Sequence, residues 1–405
     1  MPPRIKLPQI PANSAPHKSI SPIILPVFSF IVFFIGATEF MLSPMLKPLT
    51  EAFNTTMEKA TWLISGYAFA YALAAPILGW LSDRINRHKL FLISLLFLSF
   101  DGLALTIAPN LEIAIGLRIF GGIASAALVP LIFSLIADIF PPHKQAPAMG
   151  IVMLGMTAGI AGGPIFAGVL TEAFNWQLPF WVSALGYLLL YFLSRNVISI
   201  PIQSNTRNKY QALAFQWIRQ GNVMRPLIAK GLWNGTAVSS FILSGEVLRQ
   251  YYDLTTGAIG MSVSVFGVGL GFGNLATRFV KYLDISNERI LLLAIVFIFV
   301  TSTIFMLMPI SLFFSLACLT LWGCSLGMAA PISTSILASR AKHDKGQVLA
   351  VSESLNNLTI LFLLPIYTLL LTQYGAAIAV ILPGIGFIIG IWLICKDNIS
   401  DTVTK

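Results

Sequence analysis

Charge is what this chain has least of. Asp, Glu, Lys and Arg make up 10% of its 405 residues, against roughly 25% in a soluble domain. So few charges cannot clothe a water-facing surface, which excludes an ordinary soluble protein and makes lipid the main solvent. Acids are scarcer than bases, and the net charge is +9. No soluble basic domain gathers that excess, so the sequence offers no nucleic-acid site and no nucleic-acid partner is expected. Cysteine is nearly absent: Cys318, Cys324 and Cys395 are an odd set embedded in apolar sequence. They provide no disulfide framework and are read as small hydrophobes in helices. The four histidines, His17, His88, His143 and His343, lack metal-ligand spacing, so no metal is expected. No G-x-x-x-x-G-K-[ST] loop is present, which argues against a nucleotide-driven machine. No cofactor is expected, and nothing clusters as the catalytic groups of a membrane enzyme would.

What the chain has in abundance is apolar sequence: 56% hydrophobic residues and a mean hydropathy of +0.82. At roughly 20 residues per span, the region from Ile24 to Cys395 predicts about twelve helices. They are placed at 24–47, 60–81, 89–108, 111–138, 147–171, 178–195, 226–250, 256–279, 289–308, 311–338, 348–372 and 375–395. The expected organisation is a cytoplasmic disordered tail (1–21), a six-helix bundle (22–195), a linker with an interfacial helix (196–225), a second six-helix bundle (226–396) and a short tail (397–405). The first 20 residues carry Arg4, Lys6 and Lys18 and lead into no A-x-A-like site, so they are read as a tail and not as a removed signal peptide. In the linker, Tyr210, Leu213, Trp217 and Ile218 recur at helical spacing beside Lys209 and Arg219, the pattern of a helix lying in the interface.

Orientation follows from the bases. With the N-terminus inside, only Lys47, Lys59 and Arg249 fall outside, and Arg118 lies within a span. Every other Lys and Arg is cytoplasmic, the central loop carrying Arg195, Arg207, Lys209, Arg219, Arg225 and Lys230 with no acid among them. Both termini are expected in the cytoplasm, with the chain in the cell inner membrane.

Four segments carry chemistry. After the second span comes Gly79-Trp80-Leu81-Ser82-Asp83-Arg84-Ile85-Asn86-Arg87-His88-Lys89. A small residue there admits a neighbouring helix, Asp83 can meet a helix N-terminus or a base, and Arg84 and Arg87 stay in water or bind headgroups. Such a cluster can latch one conformation, helped by Asp138 at the end of the fourth span. The fourth span opens with Leu117-Arg118-Ile119-Phe120-Gly121-Gly122. An arginine within a span normally faces a partner or a cavity; the alternative is a side chain snorkelling to the outer interface. The fifth span spaces Gly150, Gly159, Gly163-Pro164 and Ala167-Gly168, a groove for close packing with a proline bend. The first span holds Gly36-Ala37-Thr38-Glu39-Phe40, with a carboxylate roughly midway through an apolar helix. A buried carboxylate of this kind can bind and release a proton.

Together these strings resemble the motifs of the major facilitator superfamily. The first resembles motif A (G-x-L-a-D-R-x-G-R-K), departing at Asn86 and His88. The turn is expected to survive because Asn tolerates the left-handed conformation. A degenerate copy, Gly273-Asn274-Leu275-Ala276-Thr277-Arg278, lacks the acid. The second string resembles motif B, with Gly121 in place of the common Gln, and the third resembles motif C of the superfamily's antiporters. The Thr-Glu-Phe element is similar to that of bacterial drug:proton antiporters and arabinose-type efflux proteins. The resemblance implies an all-α integral membrane fold of two pseudo-symmetric six-helix bundles, with a solute site near the midplane between them.

It also implies a proton-coupled efflux antiporter exporting small amphipathic compounds. A dedicated exporter of one endogenous sugar, nucleoside or siderophore is the alternative. The implied partners are a small-molecule solute, protons and the bilayer, and the chain is expected to be a monomer. Glu39, Asp101 and Arg118 are the proton-coupling candidates, and Asp101 could pair with Arg118. Glu246 and Arg249 suggest a local i,i+3 ion pair. Phe40, Trp62, Trp233, Asn234, Glu353, Asn357 and Tyr367 are candidate cavity residues; for the aromatics, lipid or helix packing is the alternative, and for Glu353 a gating contact.

Overall fold

The computed structural model describes residues 21–82, 86–197, 215–280, 282, 285–341 and 344–403. Among them every regular element is helical. The first half contains α1 (Ile24–Phe40), α2 (Leu42–Ala52), α3 (Met57–Ala60), α4 (Trp62–Ser82), α5 (Arg87–Leu105), α6 (Leu111–Ile139), α7 (Pro142–Ala173) and α8 (Leu178–Val197). A 3-10 turn at Phe215–Arg219 leads to α9 (Gly221–Tyr252), α10 (Thr256–Val280), α11 (Asn287–Leu307), α12 (Leu312–Arg340), α13 (Lys345–Tyr374), α14 (Ala376–Ala379) and α15 (Ile381–Val403).

Ten helices are long and apolar enough to cross a membrane, and α1 with α2 forms an eleventh candidate bent by 55°. The sequence predicts this segment as one helix. It breaks at Met41 because Pro44 has no N–H for the Phe40 carbonyl and its ring crowds that oxygen. The break lies just beyond Glu39. The remaining expected span, 226–250, is α9. At 32 residues it is roughly 48 Å long, but it is too polar to pass as a lipid-facing helix. It carries Lys230, Ser239, Ser240, Ser244 and Glu246, all buried. Packing against α2, α12, α13 and α15 surrounds it with protein, so polar side chains are tolerated where lipid would exclude them.

Helix starts are set by side-chain caps. Asn110, Ser286 and Ser311 accept from the backbone N–H three residues on, each satisfying a donor the helix leaves open. Asn86 does the same for Lys89, at 3.1 Å, with φ −65°. This corrects the left-handed turn expected there: the side chain's capping oxygen, and not its tolerance of positive φ, is what the position uses.

Within the first half α1 packs on α7 and α8, α6 on α4 and α5, and α5 on α8; within the second, α12 packs on α10 and α11, and α9 on α13 and α15. The halves join where α7 meets α10 and α4 meets α13, with α2 reaching α9 and α10. One apolar core lies inside the first half around Phe28, Phe91 and Leu128. A larger one runs across the junction, where Phe40 packs against Phe241 and Phe266 with ring centroids 5.3 and 6.5 Å apart.

The face where α9 and α11 begin and α12 and α15 end is tied by Arg340, which pairs with Asp397, with Glu288 at 3.2 Å and with the Asn222 carbonyl. We call this the terminal face. Of the expected interfacial helix, Tyr210 and Leu213 lie outside the described residues. Trp217 is in the 3-10 turn, buried against Val223, Leu337 and Val348, while Ile218 is exposed. The tail 1–20 and positions 404–405 also lie outside the described residues.

The opposite, far face is where the halves close. Ser43 bonds the Phe241 carbonyl and the Gly245 N–H, Arg249 donates to the Pro44 carbonyl at 3.3 Å, and the Glu172 carboxylate accepts from the Gly257 N–H. Gly168 and Gly260 let α7 and α10 touch: a Cβ on Gly168 would lie 2.6 Å from the Thr256 carbonyl oxygen, and one on Gly260 would lie 3.0 Å from the Gly168 Cα. Gly260→Leu is therefore expected to prop these ends apart. Spin labels on the far ends of α7 and α10 should show a longer distance than in the wild type; an unchanged distance would show that the seam tolerates bulk.

Candidate functional site

The polar groups of the first half converge beside the α1 break. The Tyr67 hydroxyl of α4 donates to Glu39 Oε1 at 3.5 Å, a long and weak bond. Behind Tyr67, Arg118 of α6 lays its guanidinium over the ring, 4.6 Å from the centroid, a cation–π contact strengthened by desolvation. Arg118 Nη1 donates to Asp101 Oδ2 of α5 at 2.8 Å, with side-chain exposures of 5% and 3%. The Thr38 and Tyr187 hydroxyls are 3.2 Å apart. Thr38, Met41, Tyr67, Asp101, Arg118 and Tyr187 line a narrow gap of about 10 Å³, room for about one water molecule. Asp101 Oδ1 and Arg118 Nε face no protein partner. Buried polar atoms of this kind are usually met by water.

The residues of this ion pair were legible as candidates, but what makes room for it was not. A Cβ on Gly121 would fall on the Asp101 carboxylate. The departure from motif B at this position is thus matched by an acid on the neighbouring helix: where the common residue is Gln, here the volume is filled by Asp101. Gly121→Gln should push the Asp101 carboxylate away from Arg118. The expected result is lower thermal stability of the purified protein, which Gly116→Gln, with open space at its Cβ, should not show.

Glu39 differs from Asp101 in its partners. Among the described residues no Lys or Arg lies within ion-pair distance of it. Glu353 of α13 acts on it electrostatically from the other half, and on Tyr71 of α4. Glu353 itself pairs with Lys230 Nζ of α9 at 3.2 Å. Lys230 falls inside the expected span 226–250 although its charge is counted with the basic central loop; the structure places it, buried, inside α9. Of these three acids, Asp101 and Glu353 each have a cation, and Glu39 has none within ion-pair distance among the described residues.

The other candidates are placed as follows. Phe40 sits in the aromatic junction described above. Trp233 is fully buried with its Cβ side against Gly390, and Tyr367 is buried beside Ser240, Ser302, Met306 and Phe387. Trp62 is exposed. Asn234 is half-buried on α9, and Asn357 donates to its own helix at the Glu353 carbonyl, 3.0 Å. Glu246 pairs with Arg249 at 3.5 Å. Of the latch, Arg87 pairs with Asp138 at 2.9 Å; Gly79 lies near the end of α4, and Asp83 and Arg84 are outside the described residues.

On α7, Cβ atoms at Gly155, Gly159 and Gly163 would strike the α1 backbone at Ser29, Phe33 and Ala37, whereas Gly150 has open space. Gly155 extends the four-residue spacing and was the signal available for it. Pro164 faces α10 through its carbonyl at Gly260, and Ala161 meets Gly267 through its Cα and backbone N. The helix thus has two small-residue faces: one seats α1, which carries Glu39, and the other seats α10 of the opposite half.

A helical bundle with ten helices long and apolar enough to cross a membrane, and an eleventh candidate in the bent first pair, is the build of a multi-pass membrane protein. The family model described as Major Facilitator Superfamily matches residues 28–362, and the chain belongs to that superfamily. It is similar to the uncharacterised MFS-type transporter YceJ of Bacillus subtilis, 32% identical over 256 residues, covering 62% of this chain and 64% of YceJ. It is also similar to the lincomycin resistance protein LmrB of the same organism, 29% identical over 204 residues, covering 50% and 42%. The matched region thus spans less than two thirds of these relatives' length. In fold it resembles the inward-facing, occupied form of a bacterial homologue of the human lysosomal transporter Spinster, with a TM-score of 0.72 at 15% identity over 93% of this chain and 96% of the other.

Proposed function

We propose that this protein is a proton-coupled efflux antiporter that exports small amphipathic compounds by alternating access. The observation that carries the reading is the asymmetry of the first-half acids. Asp101 is held by Arg118, whereas Glu39 has only a long bond from Tyr67. An uncompensated carboxylate away from water is costly. Glu39 is relieved either by a proton or by a solute carrying positive charge or hydrogen-bond donors, and the two exclude each other. That exclusion is antiport. Arg118, resting on Tyr67, carries the Asp101 pair's influence to Glu39.

Export as the direction is supported by the motif C spacing on α7 and by LmrB, which is named for lincomycin resistance. The α7–α10 and α2–α9 contacts close the far face. Asp83 and Arg84, beside the Arg87–Asp138 pair that is already formed within the first half, would latch the terminal face in the opposite state, with the two units 22–195 and 226–396 rocking about the site. The protein would work as a monomer in the cell inner membrane, with both termini cytoplasmic. Export from proteoliposomes or cells, screened over many compounds with and without a proton gradient, tests the reading. Gradient-dependent efflux is expected; export that an uncoupler leaves untouched would end the antiport proposal.

A further inference from the structure

A lysine buried in a membrane bundle needs a reason, and Lys230 has a specific environment. Its side chain is 4% exposed, two to three turns inside α9. The ammonium donates to Thr334 Oγ1 of α12 at 3.0 Å and to Glu353 Oε1 of α13 at 3.2 Å. Glu353 is the exposed member of the pair, at 45%. It lies on the helix that joins the halves, because α13 packs on both α9 and α4, and α4 carries Tyr67, which donates to Glu39. The pair is therefore one-sided, with the cation sealed in the second bundle and the anion presented to the space between bundles.

The charges around that space can be summed. Arg118 and Asp101 cancel. Lys230 and Glu353 cancel. Tyr67, Tyr71 and Tyr187 carry neutral phenols. Glu39 is left over. We infer that Lys230 is a charge-selectivity residue of the solute site: it holds Glu353 at the cavity wall and cancels it, so the site offers one uncompensated negative charge and accepts a solute of at most one positive charge. This rests on the central space being the solute site, as proposed above, and it adds which solutes that site refuses. Lys230 touches no solute in this scheme; it positions Glu353 and sets the count. Removing its charge leaves Glu39 and Glu353 both without a cation at the junction of the halves, an arrangement that a dication relieves and a monocation does not.

Ethidium and propidium test this, since they share one phenanthridinium ring and carry one and two positive charges. Fluorescence titration of the purified full-length protein in detergent reads both affinities without any gradient. The wild type should bind ethidium about tenfold or more tighter than propidium. In Lys230→Met the preference should shrink by roughly tenfold or invert, the effect of one unit charge several ångström away at intermediate dielectric. Lys230→Arg should keep the wild-type ratio. Glu353→Gln should weaken both dyes, propidium more, and Lys230→Met with Glu353→Gln should return the ratio toward the wild type. A merely structural lysine would lower both affinities together and would not gain dication binding.

An unchanged ratio in Lys230→Met overturns the inference, as does a wild type that binds neither dye or both equally. Should Lys230→Met not fold, the ratio in Glu353→Gln decides: a fall confined to affinity, with no change of ratio, overturns the inference. Failure here leaves proton-driven export standing on its own test. Loss of that reading leaves the ratio standing, because the titration involves neither drive nor direction.

Discussion

Glu39→Gln should abolish gradient-driven export while leaving the protein folded. The substitution keeps the shape of the side chain and its contact with the Tyr67 hydroxyl but removes the site that gains and loses a proton. Uphill export should fall by about two orders of magnitude or more, the scale of losing a positioned proton carrier. Downhill exchange of solute across the same membrane should persist, because the α7–α10 seam and the Arg87–Asp138 pair do not depend on Glu39. The distinguishing measurement is pH dependence. Solute binding to the wild type should weaken as pH falls, since a proton and the solute compete for one carboxylate. Binding to Glu39→Gln should be flat with pH. Wild-type driven transport in the variant would remove Glu39 from the coupling role and direct attention to the Asp101–Arg118 pair.

How much of this could be read from the chain depends on range. The spans followed from apolar length, and most helices fall where length and caps put them. Glu39, Asp101 and Arg118 were visible because a charge inside an apolar run is conspicuous, and the structure brings the last two within 2.8 Å. Four features needed the tertiary arrangement. Lys230 falls inside the expected span 226–250 but next to a basic loop with which its charge is counted; the packing of α9 against α12 and α13 shows that it is buried. The polarity of α9 weakens its hydropathy signal, because a helix wrapped by protein is released from the demand that lipid makes of the others. Gly121 appeared as a departure from a pattern, and its meaning depends on an acid twenty residues away in sequence whose carboxylate takes the missing volume. The glycine spacing on α7 showed that something packs closely, but not that two different helices do so on two faces.

Asp101→Ala should be severely destabilising, and the double variant Asp101→Leu with Arg118→Met should recover much of the loss. Both side chains of the pair are nearly inaccessible. Truncating the acid leaves a guanidinium in the bundle with only the Tyr67 ring for company, which costs about 3–5 kcal/mol when one partner of a buried pair is removed. Replacing both with apolar groups of similar size removes the unpaired charge, and such replacements are often close to neutral. The expected order of thermal stability in detergent is therefore wild type near the double variant, with Asp101→Ala well below both. Transport separates structure from function. If the pair serves only packing, the double variant exports as the wild type does. In the scheme proposed here it does not: without the guanidinium behind Tyr67, the hydroxyl that bonds Glu39 loses its support, and proton exchange at Glu39 is altered. The double variant should then be stable and still bind solute, with driven export reduced about tenfold or more and its pH optimum displaced. A double variant that is as unstable as Asp101→Ala would instead mean that the bundle needs the hydrogen bonds of this pair and not merely its neutrality.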